Sequence, residues 1–254
     1  MSEGELRDLL WWGWLGLSLT VFVVLQFISA PYGRLRRPGW GPTIPTRLAW
    51  QLMELPAVCT ILVIWARADF PTAIGGLVLL GMWQLHYLHR TFIYPFRART
   101  AGRRTPLLIA LMGGVTNVGI GTLVGLDLFG EAGAMHGPDW LTDPRFLIGA
   151  ALFALGMTLN ISSDNTLLNL RRGADTGYHI PRGGGYRWVS CPNYLGEIVE
   201  WTGFAIACWT PGSLAFALWT LSNLLPRAQS SHRWYQETFD DYPAERRALI
   251  PYLL

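Results

Sequence analysis

Lysine is missing from this chain of 254 residues: all twenty basic residues are arginine. Schiff-base chemistry is thereby excluded, because retinal, pyridoxal phosphate and aldolase-type mechanisms need a lysine amine. Charge of either sign is scarce. Asp, Glu and Arg make up 15% of the residues, against about 25% in a soluble domain. Cysteine is scarce too, and Cys59, Cys191 and Cys208 are odd in number and far apart. They match neither a disulfide framework nor a paired-cysteine metal motif, so no metal site is expected. No basic segment precedes the first apolar run, which follows the acidic SEGELRDLL. That run reads as a span rather than a signal peptide. Internal repeats and low-complexity segments are absent as well.

Apolar mass is abundant. The chain is 51% hydrophobic, with thirteen Trp and eleven Phe. A helix needs about 20 apolar residues to cross a bilayer. Seven segments meet or approach that length: 11–30, 47–66, 71–94, 106–126, 145–163, 194–210 and 212–226. Pro71, Pro106, Pro144 and Pro211 fall at or near their starts, where proline is tolerated. The loops between them alternate in charge. Seventeen of the twenty arginines lie in 31–47, 90–104, 164–192 and 227–254. The other loops keep Arg7, Arg67 and Arg145 among eight Asp and Glu. The positive-inside rule then gives an all-α, polytopic membrane protein with seven transmembrane helices, an outside N-terminus and a cytoplasmic C-terminus. One integral-membrane domain, 1–254, is expected. Loops 90–104 and 164–193 and the tail 227–254 are too short to fold alone.

The few polar residues inside these spans call for an explanation, because a charge at membrane depth costs a few kcal/mol or more and is usually functional. Glu54 sits in LAWQLMELPAVCTILVIW, followed by Pro56, which frees the carbonyl of Leu52. The third span carries QLHYLHRTFIY, where Tyr87, Arg90 and Tyr94 share a face at i, i+3, i+7. Asn160 and Asp164 lie one turn apart in the fifth span. Asn193, Glu197 and Glu200 give the sixth a polar opening face. Gly183–Gly185 permit close backbone approach to a ligand, without the context of a dinucleotide fold or a Walker A loop. The polar groups crowd toward the cytoplasmic side, in a rim rich in Arg, Asn, Asp and Glu. Such a rim suits a polyanion such as a nicotinamide dinucleotide phosphate, met by an apolar partner from the bilayer.

The motifs ELP at 54–56, HYLHRTFIYPFR at 86–97, GGGYRWVSCPNYLGEIVEW at 183–201 and FDDYPAERRALIPYLL at 239–254 resemble the steroid 5α-reductase family. The match is dense over 160–254, clear over 83–99, short over 51–56 and negligible before residue 47. The resemblance implies a seven-helix enzyme that uses NADPH to reduce the C4=C5 bond of a 3-oxo-Δ4 steroid. Its catalytic pair falls on Glu54 and Tyr87, which with Met53 meet the substrate. Vertebrate members carry Gln where this chain has Met53, a departure that bears on how the substrate is seated. Its cofactor contacts fall on Arg90, Tyr94, Asn160, Asp164, Arg171, Tyr178, Asn193, Glu197, Arg227, His232 and Tyr235. A steroid or other polycyclic enone entering from the bilayer, together with membrane lipids, completes the expected partners. No nucleic acid and no obligate protein partner are implied. The location is a bacterial inner membrane or, in a eukaryote, the endoplasmic reticulum.

The chemistry suits these residues. Adding hydride to an enone places negative charge on the carbonyl oxygen, and a donor aimed at that oxygen stabilises the transition state. Tyr87 is a fitting donor. A desolvated Glu54 that keeps its proton either donates directly or hydrogen-bonds Tyr87. Two other readings compete. A membrane methyltransferase of the isoprenylcysteine type, using S-adenosylmethionine, needs no deep Glu–Tyr pair, and its cofactor carries no phosphate. A proton-coupled seven-helix transporter would spread its polar groups across the membrane, whereas spans one, four and seven are almost bare of charge.

Overall fold

The computed structural model describes residues 1–28, 39–98, 100, 102–130, 135–170 and 177–254. Arg34, Arg36, Arg37, Arg99, Arg171, Arg172 and Glu131, used above, lie outside the described residues. The chain is mostly helical. The helices are α1 (Glu3–Phe27), α2 (Thr46–Arg67), α3 (Ile74–Leu88), α4 (Tyr94–Arg97), α5 (Leu107–Phe129), α6 (Pro144–Leu170), α7 (Pro192–Cys208) and α8 (Pro211–Thr238). Seven of them are long and match the seven apolar segments. Four, α1, α2, α5 and α6, are long and apolar enough to cross a membrane. α3 and α7, at 15 and 17 residues, are short for a crossing, and the second half of α8 is polar. The chain is an integral membrane protein, and its outer surface fits: Val115, Leu147, Ile148 and Leu155 all point outward.

Two short strands were not expected. β1 (Thr43–Pro45) and β2 (Arg104–Pro106) pair antiparallel, with Thr43 opposite Pro106 and Pro45 opposite Arg104. Each leads directly into a helix, so the ribbon holds the starts of α2 and α5 side by side. These two helices run parallel: Gly114, Gly121 and Gly125 of α5 face Leu52, Thr60 and Ile64 of α2 in the same order. Close packing then fixes their register. Pro56 has no N–H to give to the Leu52 carbonyl, and a Cβ at Gly114 would lie 2.8 Å from that oxygen. Only glycine lets α5 approach the bared carbonyl this closely.

A second seam joins α6 to α7, which run antiparallel. Gly149 and Gly156 on α6 and Gly196 and Gly203 on α7 repeat every seven residues. A Cβ at any of them would fall 2.2–2.4 Å from a backbone nitrogen of the other helix. Small residues at such an interface let two backbones touch in the membrane. Aromatic rings fill the space between the seams. Trp83, Trp201 and Phe204 are fully buried, and the Trp83 indole donates to the Ala57 carbonyl at 3.1 Å.

Candidate active site

A polar group in mid-bundle joins three helices. Pro56 leaves α2 short of one helical hydrogen bond, and neighbouring side chains take up carbonyls on either side of the break. Gln84 donates to Val58 O at 3.0 Å, and Asn117 of α5 donates from Nδ2 to Met53 O at 2.6 Å. The same Nδ2 lies 3.5 Å from Glu54 Oε2. On its other side, Tyr87 of α3 donates its hydroxyl to Asn117 Oδ1 at 3.3 Å. Asn117 thus stands between Glu54 and Tyr87. Tyr87 is buried, its ring held by Trp83 at 4.8 Å and Trp201 at 5.7 Å, while Glu54 is half-buried. The Met53 side chain packs on α5, where a Cβ at Gly113 would meet its Cγ at 3.0 Å. All three substrate residues named by the resemblance are therefore neighbours.

Arg90 carries this group toward the ribbon end of the bundle. α3 gives way to a π-helical turn over His89–Ile93, where the Tyr94 N–H reaches back to His89 O. Such one-turn π segments are frequent at functional sites. The wider turn lets Arg90 lie over both Trp50, at 4.5 Å, and Tyr94, at 4.8 Å. Its Nη1 is 3.5 Å from Asp164 Oδ2. Glu54, Glu197 and Asp164 are all among its charged neighbours. One guanidinium thus faces both the deep acid and the rim.

The α6–α7 seam builds that rim. It sets Asn160 and Asp164 against the start of α7, where the polar face predicted from spacing lies. Asn160 Nδ2 donates to Asn193 O at 3.0 Å and approaches Glu197 Oε2 at 3.4 Å. Asn193 Nδ2 donates to Asp164 Oδ1 at 3.1 Å. One turn deeper, His86 Nδ1 meets Glu200 Oε1 at 2.7 Å in a fully buried pair, and Glu200 Oε2 has no hydrogen-bond partner among the described residues. Of the glycines, Gly183 and Gly184 adopt left-handed φ of 83° and 50°. Gly185 packs on Pro192, where a Cβ would be 2.6 Å from the ring. The close approach at Gly185 is therefore to the protein itself.

The remaining predicted residues form an adjoining patch. Arg227 lies over the Tyr194 ring at 5.6 Å, next to Asn193. Tyr178 packs on Trp234, Trp234 on Tyr235, and Tyr235 stacks on Tyr242 at 5.2 Å. Ser190 Oγ is 2.6 Å from both His232 Nδ1 and Tyr242 Oη. Burial, with Arg247 and Arg233 nearby, holds the His232 imidazole below its usual range. The C-terminal tail closes the patch through Ser190 N–H to Arg247 O at 2.8 Å and Cys191 N–H to Ala248 O at 3.1 Å. Here lies a residue that sequence reasoning passed over. Arg246 is buried, its guanidinium 5.3 Å from the Tyr242 ring, with Nε and Nη1 unpaired among the described residues. A buried cation with unused donors is costly unless a ligand supplies an anion. The donor set suits a dinucleotide phosphate: guanidinium forks for phosphates, amides and carboxylates for ribose and carboxamide, rings for a base. Arg171 lies outside the described residues. Among those residues, no group of three or more His, Cys, Asp or Glu side chains could hold a metal.

Fold and site together define a helical membrane protein whose buried polar network runs from mid-bundle to one end. Comparison with known proteins gives that class a family. The model of 3-oxo-5-alpha-steroid 4-dehydrogenases matches residues 103–254. The chain is 39% identical to 3-oxo-5-alpha-steroid 4-dehydrogenase 1 of Bos taurus, over all of this chain and 99% of that protein. It is 39% identical to a steroid 5-alpha-reductase of Arabidopsis thaliana, over 91% of this chain and 90% of the plant protein. It is 44% identical to 3-oxo-5-alpha-steroid 4-dehydrogenase 2 of Homo sapiens, over 83% and 82%. The chain belongs to the 3-oxo-5-alpha-steroid 4-dehydrogenase family, a family of oxidoreductases.

Proposed function

We propose that this protein reduces the C4=C5 double bond of a 3-oxo-Δ4 steroid, or of a polycyclic enone of that shape, at the expense of NADPH. The observation that carries the reading is the line of polar groups from Glu54, Asn117 and Tyr87 to Arg90, a charged neighbour of Glu54, and on to Asp164, Asn193, Asn160 and Glu197. A flat apolar substrate with one carbonyl fits the first end, and a polyanionic cofactor fits the second. The bundle spans the bilayer seven times in this reading, as one domain, with the N-terminus outside and the ribbon end in the cytoplasm.

NADPH, when bound, would supply the hydride that adds to C5, and a proton taken up at C4 would complete the reduction, leaving NADP⁺. The rim residues hold it: Arg227, Arg246 and Arg171 for phosphates, Asn160, Asp164, Asn193 and Glu197 for hydroxyl and amide groups, and Tyr94, Tyr178, His232 and Tyr235 as flanking surface. Tyr87 and Glu54 receive the 3-carbonyl oxygen and stabilise the charge that develops there. The aromatic wall of Trp83, Trp201 and Phe216 keeps water from competing for that charge. Met53 lines the same end and shapes what fits.

Purified protein in detergent tests the reading: NADPH oxidation should depend on an added 3-oxo-Δ4 steroid and yield a 5α-reduced product. The methyltransferase alternative predicts S-adenosylmethionine binding in place of NADPH. The buried Arg246, with two unused donors, favours the cofactor that carries phosphate.

A further inference from the structure

Asn117 is the one amide or acid in the apolar segment 106–126, with Asp127 ten residues on at the far end of α5, and it touches both members of the Glu54–Tyr87 pair. We propose that Asn117 is a positioning residue for the reaction: it anchors the Tyr87 hydroxyl to the backbone of α2 and keeps Tyr87 and Glu54 from bonding each other, so that one carbonyl oxygen can meet both. The inference rests on the reading given under Proposed function.

The orientation of the amide follows from chemistry. Met53 O is a carbonyl, so the Asn117 atom 2.6 Å from it must be the NH2 group. The amide oxygen then faces Tyr87, whose hydroxyl donates to it at 3.3 Å. With no flipped alternative, the phenol proton has one resting place. The anchor is also local. Met53 immediately precedes Glu54 in α2, so any shift of the Glu54 backbone is passed to Asn117 and on to Tyr87. The close contact at Gly114 and the β1–β2 ribbon keep the two helices from sliding past each other. Without the amide, the buried Tyr87 hydroxyl loses its acceptor, and Glu54, which meets the same amide, is the acid left beside it. A direct bond between the two would close the space meant for the substrate oxygen. When a substrate carbonyl arrives, the phenol O–H has only to turn from Asn117 Oδ1 toward it, because the Tyr87 ring and oxygen are already in position.

The test compares Asn117→Leu, which fills the volume without polar atoms, with Asn117→Asp, which keeps the shape but sets an oxygen against Met53 O. Thr116→Val, on the same turn of α5, serves as control. Both Asn117 variants should lose about 10- to 100-fold in kcat, the range for a buried hydrogen-bond partner removed. KM for NADPH should stay unchanged, and the control should turn over normally. A second readout needs no steroid. The infrared C–O stretch of the Tyr87 phenol, identified by its loss in Tyr87→Phe, should shift in Asn117→Leu. An unmoved band or an unchanged kcat overturns the inference. So does a loss of NADPH affinity in step with kcat, because that marks general damage to the fold. If the wild-type protein reduces no steroid, the activity reading fails by itself, while the phenol band still decides whether Asn117 holds Tyr87.

Discussion

The two ends of this bundle use polar side chains in opposite ways. At the far end, where α5 and α7 finish and α8 begins, they bind backbone. Asp127 accepts the Gly212 N–H at 2.5 Å in the first turn of α8, His136 bonds Cys208 O at 2.8 Å, and Trp140 donates to Ala207 O at 2.9 Å. Each satisfies a helix terminus that is buried in the protein. Toward the ribbon end, polar side chains bind each other: Tyr87 to Asn117, His86 to Glu200, Arg90 to Asp164, Asn193 to Asp164, Ser190 to His232 and Tyr242. Buried atoms without a hydrogen-bond partner among the described residues occur at both ends, Asp127 Oδ1 at the far one, but the unused donors of a buried cation, Arg246 Nε and Nη1, lie toward the ribbon. Fasteners belong to the fold, while a side-chain network with unused donors and acceptors can re-pair with a ligand. Changes at the far end should therefore lower stability and spare chemistry, and changes at the ribbon end should do the reverse.

The largest effect should come from Tyr87→Phe. Removing one donor aimed at a developing oxyanion costs about 10²–10³-fold in kcat. Glu54→Gln should be comparable, and both proteins should still bind NADPH by fluorescence titration. Full turnover in either variant would take that residue out of the mechanism. Next comes Arg246→Ala, expected to weaken NADPH about 10- to 100-fold, as fits a charged hydrogen bond lost to a buried partner. Unchanged affinity would mean that the spare guanidinium faces no phosphate. Asp127→Ala supplies the contrast at the far end. It should cost about 1–2 kcal/mol of stability, the scale of a lost helix N-cap. Thermal unfolding in detergent reads the loss, and kcat should not change; a fall in kcat without a change in Tm would break the comparison.

The smallest effect concerns pH. His232 is held neutral in the folded protein, with its folded pKa below the ordinary 6.5. The unfolded chain therefore takes up the proton first as pH falls. The stability due to neutral His232 is complete above 6.5 and is lost as pH drops through the lower folded value. Thermal midpoints measured downward from neutral pH should fall less steeply in His232→Gln than in the wild type. Identical slopes would show that His232 does not titrate in that window.

Much of the helical layout was legible, because about 20 apolar residues in a row leave few alternatives. The limits of the apolar signal explain the departures. α8 runs on to Thr238, beyond the predicted 226, since RAQSSHRWYQET keeps helical geometry with a polar surface facing the tail. The β1–β2 ribbon was invisible: three residues beside a proline carry no periodicity. Polar residues stood out against the apolar background, and geometry brings Glu54, Tyr87, Arg90, Asn160, Asp164, Asn193 and Glu197 into neighbouring groups. Asn117 did not stand out, because a neutral amide in a span without charge draws no attention until its partners are known. Arg246 was counted only among the basic residues of the tail, since burial cannot be read from a loop sequence. The seven-residue glycine spacing, 149 to 156 and 196 to 203, was available in the sequence and would have matched α6 to α7.

Steroid-dependent NADPH oxidation by the purified wild-type protein, with the product identified by mass spectrometry, tests the central claim most directly. The account predicts consumption of NADPH only when a 3-oxo-Δ4 steroid is present, with stoichiometric formation of the 5α-reduced product. NADPH that fails to bind, or that binds and is never oxidised across a panel of such steroids, would contradict it.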